Sequence, residues 1–431
     1  MKKKVLFGLI ALVLVALVAL PLCTACAKPA PAPAPAPKPA PAPAPKPAPP
    51  AKDKIVYGAS RSLSGPLAII GQTSFDPAFK MWMEDVNAKG GIYVKEYGKK
   101  LPIEYKVYDD KSDRGTMVKL IEKLITEDKI DFLMGPVGTG QFFAAAPVAN
   151  KYEHIILCAE GGSITLKEFL PSMPYVFPTI QDASKQLPPL VELMAEKGVK
   201  TVAVIYFEDL HGVENASTTV TECRKGGLDI VMYKSFPWGT KDLSPLLREA
   251  KAKNVDAFLS MSYPDESFLA IKQSMEIGFN PKLFFCTVGI YLNVIKSIFG
   301  ANVIEGVMGG GAWNGKQSPK AAELEAKRLA LTGPDGMEYW GFAVYWASLQ
   351  ALQQAIEKAG TLDQKKVRDI LATEKFETDF GTWWWAEDHA PALDAYAGLD
   401  GQWQNGYFEV ICPKGKATAE IIYPKPAWPK K

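Results

Sequence analysis

Phe132-Leu133-Met134-Gly135-Pro136-Val137-Gly138-Thr139-Gly140, followed by a helical-length segment over 142–152 and then Ile155-Ile156-Leu157-Cys158, is the passage on which the fold turns. A short apolar run, a glycine-rich turn, a helix and a second apolar run read as strand, turn, helix, strand. Runs with no polar face belong to parallel strands covered by helices on both sides.

The alternation extends outward in both directions. Before the passage come a strand over 55–59 with a helix over 75–88, and a strand over 103–108 with a helix over 116–126. After Asp182 it restarts, with a helix over 190–196 and strands over 202–206, 230–233, 257–260 and 283–285. A helix after Gly212 and helices over 243–253, 265–277 and from Leu292 separate these strands. The class is therefore α/β, with two doubly wound parallel-sheet units. The rest of the chain has a long amphipathic helix (342–359), a second helix (364–372) and strand-like runs near 382–386 and 407–411. It shows no alternation of its own, so it completes the two units, and a chain that crosses between units more than once makes a hinge.

Lys2-Lys3-Lys4 precede an uncharged apolar run over 5–22 that closes on Cys23-Thr24-Ala25-Cys26. This is the layout of a secretory signal. A Cys placed after Ala25 resembles the bacterial lipobox, which implies removal of residues 1–25 and lipidation of Cys26. Cys23 stands where a lipobox usually has Leu. An uncleaved anchor is the other reading, since about 18 apolar residues reach the lower limit of a bilayer span. Either way the remainder lies outside the cytoplasmic membrane. Residues 26–53 continue as Pro and Ala with scattered Lys, which cannot build a core. In extended polyproline II form, about 25 such residues reach about 75 Å, a tether for a body that must return repeatedly to a membrane partner.

With 49 Lys+Arg against 47 Asp+Glu among 431 residues, the charge balance gives no reason to expect a nucleic-acid partner. Cys158, Cys223, Cys286 and Cys412 show no metal-ligand spacing, and buried free thiols suit the apolar runs around three of them. No cofactor or metal is expected. Asp109-Asp110 reads as a structural turn, because adjacent residues on an extended chain point to opposite faces. Neither a Gly-x-Ser-x-Gly elbow nor an HExxH helix occurs, and His154, His211 and His389 are not in motif spacing, so an enzyme is not expected.

A series of local strings runs in order: Ile55-Val56-Tyr57-Gly58 with Leu63-Ser64-Gly65-Pro66-Leu67 and Gly71, then Asp85-Val86-Asn87-Ala88-Lys89-Gly90-Gly91-Ile92, then Tyr108-Asp109-Asp110. Further along come Gly135 to Gly140 with Ala146-Pro147-Val148-Ala149, then Pro174-Tyr175-Val176-Phe177 and Gly401-Gln402-Trp403-Gln404. Together these strings resemble the type I periplasmic binding proteins of the branched-chain amino acid (Leu/Ile/Val) class of ABC transporters. The likeness spans 54–424. It implies two lobes, 54–179 plus 312–380 and 180–311 plus 381–424, joined by three crossovers near 177–182, 308–313 and 376–385. It further implies a monomer that closes on a small ligand, an amino acid or an organic or aromatic carboxylate, and delivers it to a membrane permease. A ligand-sensing receptor with a separate signalling partner is the alternative.

Gly138-Thr139-Gly140 follows a strand and opens a helix, so its N–H groups and the Thr hydroxyl form an anion site; by resemblance the ligand carboxylate sits there. An ordinary N-cap Thr fits the same residues. Glu160-Gly161-Gly162-Ser163 matches the segment that meets the ligand amine, with Gly162 where the family has Thr, and also reads as a tight turn. In the second lobe the resemblance implies His211 where an aromatic residue reaches across the cleft, with Tyr263 and Thr287 at neighbouring strand ends; a lone His is also an ordinary packed residue. Ser64 completes the implied ligand set. The family's acidic partner for the ligand amine falls at Val288, so Glu160 is expected to supply that charge or the ligand to lack an amine. Trp313 and Trp383-Trp384-Trp385 suit hinge packing and, secondarily, a stacking platform.

Overall fold

The apolar runs over 132–134, 257–260 and 283–285 are buried along their whole length. The computed structural model describes residues 51–157, 160–387, 389–392 and 398–429. The signal segment, Cys26, most of the Pro/Ala stretch and Cys158 lie outside the described residues.

The first lobe begins with β1 (Ile55–Arg61), then α1 (Ala68–Ile70), which passes through a π-helical turn at Gly71–Phe75 into α2 (Asp76–Ala88). The hairpin of β2 (Ile92–Val94) and β3 (Lys99–Leu101) leads to β4 (Ile103–Asp109), α3 (Arg114–Thr126), β5 (Phe132–Met134), α4 (Thr139–Lys151), β6 (Ile156–Leu157), α5 (Ile164–Phe169) and β7 (Val176–Phe177). These strands form a parallel sheet in the order β4-β1-β5-β6-β7. Tyr57 on β1 packs against Phe79, Trp82 and Phe132, which locks α2 onto the sheet.

The chain then enters the second lobe through α6 (Ala183–Glu196), whose start Asp182 caps by accepting from Ser184 N at 2.8 Å. There follow β8 (Thr201–Phe207), α7 (Leu210–Lys225), β9 (Asp229–Phe236), α8 (Ser244–Ala252), β10 (Ala257–Met261), α9 (Pro264–Ile277), β11 (Leu283–Cys286), α10 (Val294–Phe299), α11 (Ala301–Ile304) and β12 (Val307–Gly310). Every residue of β10 and β11 is buried, as a sheet covered on both faces requires.

From β12 the chain returns to the first lobe as α12 (Pro319–Thr332), α13 (Gly341–Ala359), α14 (Gln364–Thr373) and the hairpin of β13 (Phe376–Thr378) and β14 (Gly381–Trp383), which packs on α13. It comes back as β15 (Asp400–Gln404) and β16 (Tyr407–Cys412). These complete the second sheet, ordered β16-β15-β12-β11-β10-β8-β9, with β15 antiparallel to both neighbours. Three passages thus join two doubly wound lobes. The third leaves after β14, later than the residues near 376–385 expected for it, because 376–383 are held in the first-lobe hairpin.

Helix starts shift for local reasons. α4 begins at Thr139 because Gly138, at φ 95°, breaks the chain direction just before it. Cys223, Cys286 and Cys412 are free and buried. Among the described residues no helix is long and apolar enough to cross a membrane, and no cluster of three or more metal-ligating side chains occurs.

Candidate ligand-binding site

Strand ends and helix starts of both lobes meet at one cavity with about 680 Å³ of empty space, part of it open to solvent. Thr139, Glu160, Gly161 and Gly162 line it from the first lobe, and His211, Tyr263 and Thr287 from the second. Gly138 also lines it, whereas Gly140 faces an adjoining recess at the cleft mouth with Arg114 and Trp238.

On the first-lobe side, the strand-end loops are tied by backbone bonds, Gly138 N to Glu160 O at 2.8 Å and Glu160 N to Pro136 O at 3.1 Å. No side chain caps α4, so its first N–H groups are open to a ligand anion. Thr139, almost fully buried, points its hydroxyl at Gly162 O, 3.4 Å away. Gly162 permits this geometry, since a β-carbon there would collide with the carbonyl of Gln181 in the first crossover.

The Glu160 carboxyl is engaged inside the lobe. Arg61, fully buried at the end of β1, donates from Nη2 to Glu160 Oε1, lies 2.9 Å from Asp76 Oδ1, and donates from Nη1 to Gly135 O at 2.8 Å. Burial pushes the Glu160 carboxyl up to about 8 against the pull of Arg61, and raises Asp76 for the same reason.

On the second-lobe side, Asp209 accepts from Gly212 N at 2.8 Å, capping α7, and from the Tyr263 hydroxyl at 2.8 Å. Tyr263 stacks on His211 with centroids 5.2 Å apart, and His211 Nε2 lies 3.2 Å from Thr287 Oγ1. Burial holds the imidazole below its ordinary value, which keeps it neutral. Val288, at the strand end where the resemblance implies an acid, lines the cavity as an apolar wall.

Two of the residues singled out from the sequence lie elsewhere. Ser64 is exposed and donates to Asp109 Oδ2 at 2.8 Å. Ser163 caps α5 and donates to Glu214 at 3.0 Å. Asp110 accepts from Ser60 and Ser62, so the Asp109-Asp110 pair organises the turn after β4. Trp313 and Trp383 are fully buried, and Trp385 donates to Pro178 O at 2.6 Å in the hinge.

Sequence reasoning missed Trp340 and Asp400, which both line the cavity. Glu338 accepts from the backbone N of Trp340, Gly341 and Phe342 at 2.7–2.8 Å and sits 3.3 Å from the buried Arg328, so the start of α13 is fixed and Trp340 with it. The available signals were an aromatic residue beside a helix start and an acid just before Gly401-Gln402-Trp403-Gln404.

The sequence profile of a family described as periplasmic binding protein matches residues 54–398. The Leu/Ile/Val-binding protein homolog 7 of Brucella suis is 26% identical over 394 residues, covering 87% of this chain and 96% of that protein. Among solved structures, the substrate-binding protein LivJ of Streptococcus pneumoniae in complex with isoleucine superposes with a TM-score of 0.70 at 20% identity, covering 86% of this chain and 100% of that one. A solute-binding protein of Rhodopseudomonas palustris in complex with 3,4-dihydroxybenzoic acid gives 0.70 at 19% identity, covering 88% and 99%.

Proposed function

From the premise that the chain belongs to the periplasmic binding protein family, of the type I kind, we propose that it is the extracytoplasmic solute-binding component of an ABC transporter. It closes its two lobes on an amino acid or a related small carboxylate and delivers the ligand to a permease. Cys26 anchors it by lipid, and the Pro/Ala stretch holds the body at reach of its membrane partner.

One observation carries the ligand class. An uncapped helix start bearing Thr139 opens into an inter-lobe cavity whose facing wall, His211, Tyr263 and Thr287, belongs to the other lobe. A carboxylate at that helix start is favoured by the helix dipole and by the free N–H groups. Contacts made to both lobes at once favour the closed arrangement, because a ligand shifts the open–closed equilibrium by its differential affinity for the two states.

The test is a thermal-shift screen of the purified chain, refolded to strip co-purified ligand, against amino acids, aromatic acids and small organic acids. A ligand at 100 times its Kd should stabilise by about 2.7 kcal/mol. Thr139→Ala should then weaken the binder about 3- to 10-fold, the worth of one hydrogen bond. Unchanged affinity for every binder would sink the carboxylate assignment, and no shift with any member of the panel would sink the ligand class.

A further inference from the structure

We propose that Asp400 is the residue that receives a cationic group of the ligand, so that the cleft is built for a molecule carrying a protonated amine together with its carboxylate. The inference rests on the solute-binding reading of this cavity and narrows its ligand class.

Asp400 opens β15, immediately after the third passage between the lobes. Its backbone is held between β12, where it pairs with Gly310, and β16, where it pairs with Cys412. Asp400 thereby has a fixed place on the cavity wall. It is 2% exposed, and its Oδ2 has no hydrogen-bond partner among the described residues. A buried carboxyl oxygen without a donor costs free energy in any protein, and structures that keep one commonly use it.

The other residues on the wall give Asp400 no counter-charge. Among the described lining residues there is no Lys or Arg, and the two acids are Glu160 and Asp400. Glu160 has its counter-charge in Arg61, which takes Oε1, while its Oε2 lacks a hydrogen-bond partner among the described residues. Across the strand pair Asp400 meets the thiol of Cys412, and the cavity wall it shares also carries the neutral His211 and Tyr263, whose hydroxyl is taken by Asp209. On α6, Glu192 and Glu196 bear on Cys412 and add only negative charge. Burial accordingly raises the Asp400 carboxyl well above the ordinary range. Burial thus favours the protonated form until a cation arrives.

An ammonium group changes this balance. It brings the missing positive charge and a donor for Oδ2, and the carboxyl ionises against it. The ligand carboxylate then lies at the start of α4 in the first lobe and the amine on β15 in the second, so one zwitterion ties the lobes together. A des-amino acid leaves Asp400 without a partner. The apolar Val288, where a family acid is missing, fits a site whose anionic group has moved to another strand.

The experiment titrates the refolded full chain, wild type and Asp400→Asn, with matched pairs: leucine against 4-methyl-2-oxopentanoate, phenylalanine against phenylpyruvate, and 4-aminobutanoate against butanoate. The wild type should bind the amine-bearing member of at least one pair 30-fold or more tightly than its twin. Asp400→Asn should cut that preference at least 10-fold while leaving the twin within 3-fold, and its ligand-free melting temperature should not fall. As an independent measurement on the wild type, calorimetry at pH 6 in two buffers of different ionisation enthalpy should show release of about one proton with the amine-bearing ligand and none with its twin. Equal binding of both twins, a preference that survives Asp400→Asn, or binding of the amine-bearing ligand without proton release would each overturn the assignment and leave the solute-binding reading standing. Failure to bind any member of the three pairs would overturn this inference, and only silence across the whole thermal-shift panel would remove the ligand class with it.

Discussion

Nη2 of Arg61 meets Oε1 of Glu160 where both side chains are out of solvent, 99 residues apart in the chain. The contact ties the end of β1 to the loop that lines the cleft, and it decides that the charge of Glu160 serves the first lobe. Arg61→Met leaves the buried Glu160 carboxyl, the half-buried Asp76 carboxyl and the Gly135 carbonyl without their common partner. Unfolding in urea, followed by tryptophan fluorescence, should show a loss of about 3–5 kcal/mol. In Arg61→Met/Glu160→Gln the loss should be smaller than the sum of the single changes, because the two groups share one interaction.

How much of this was legible in the sequence follows from what each residue answers to. β5, β10 and β11 were readable because strands covered on both faces have no polar positions to confuse the pattern. Thr139, Gly161, His211 and Thr287, singled out at strand ends and helix starts, line one cavity because a doubly wound sheet gathers those ends in a cleft. Arg61 looks in sequence like the polar residue that closes a strand, and only the folded lobe brings it under Glu160. Asp400 arrives just after the third passage and Trp340 just before α13, each far in sequence from the strand ends it joins, with no turn or spacing rule to mark it. Ser64 and Ser163 sit beside the right segments, but Asp109 and Glu214 claim their hydroxyls.

Trp340 also constrains the second passage. Gly311, at φ 71°, lies so close to it that a β-carbon would enter the indole ring. Gly311→Ala therefore combines a left-handed backbone with overpacking and should cost about 2–4 kcal/mol. Because the ring it displaces lines the cavity, ligand affinity should fall at least tenfold as well. Gly300→Ala is the control: its φ is 86°, no atom lies within 4 Å of the added carbon, and only the strain component should appear. Denaturation and ligand titration of both variants separate the two effects.

His154 gives the fold a pH dependence of definite sign. The ring is buried, its Nε2 lacks a partner among the described residues, and burial lowers its pKa to about 4. The unfolded chain takes up this proton near 6.5 and the folded chain near 4. The stabilisation is thus complete above about pH 6.5 and is lost as pH falls toward 4, at up to about 1.4 kcal/mol per pH unit. Glu160, raised in the fold, acts oppositely, since its contribution declines as pH rises from the ordinary carboxylate range toward 8. The difference in unfolding free energy between wild type and His154→Gln should therefore slope between pH 4 and 6.5 and be flat from 7 to 8. A flat difference throughout would mean that the ring titrates alike in both states.

Trp385 offers a direct choice between packing and ligand stacking. Its Nε1 donates to Pro178 O at 2.6 Å, and its ring meets Phe177 edge-on with centroids 5.2 Å apart, so it clasps the third passage to the first. Trp385→Phe keeps most of the ring contact and loses the hydrogen bond. The stranded carbonyl should make this cost about 1–3 kcal/mol, whereas Trp385→Ala opens a cavity and should cost about 3–5 kcal/mol. Because the ring is absent from the cavity wall, Trp385→Phe should leave the affinity and rank order of ligands within about 3-fold, the effect of less than a kcal/mol on the closed state. A stacking platform would behave the other way, with small stability changes and a selective loss of aromatic ligands. Measuring both quantities on the same two variants therefore tells a hinge clasp from a binding surface.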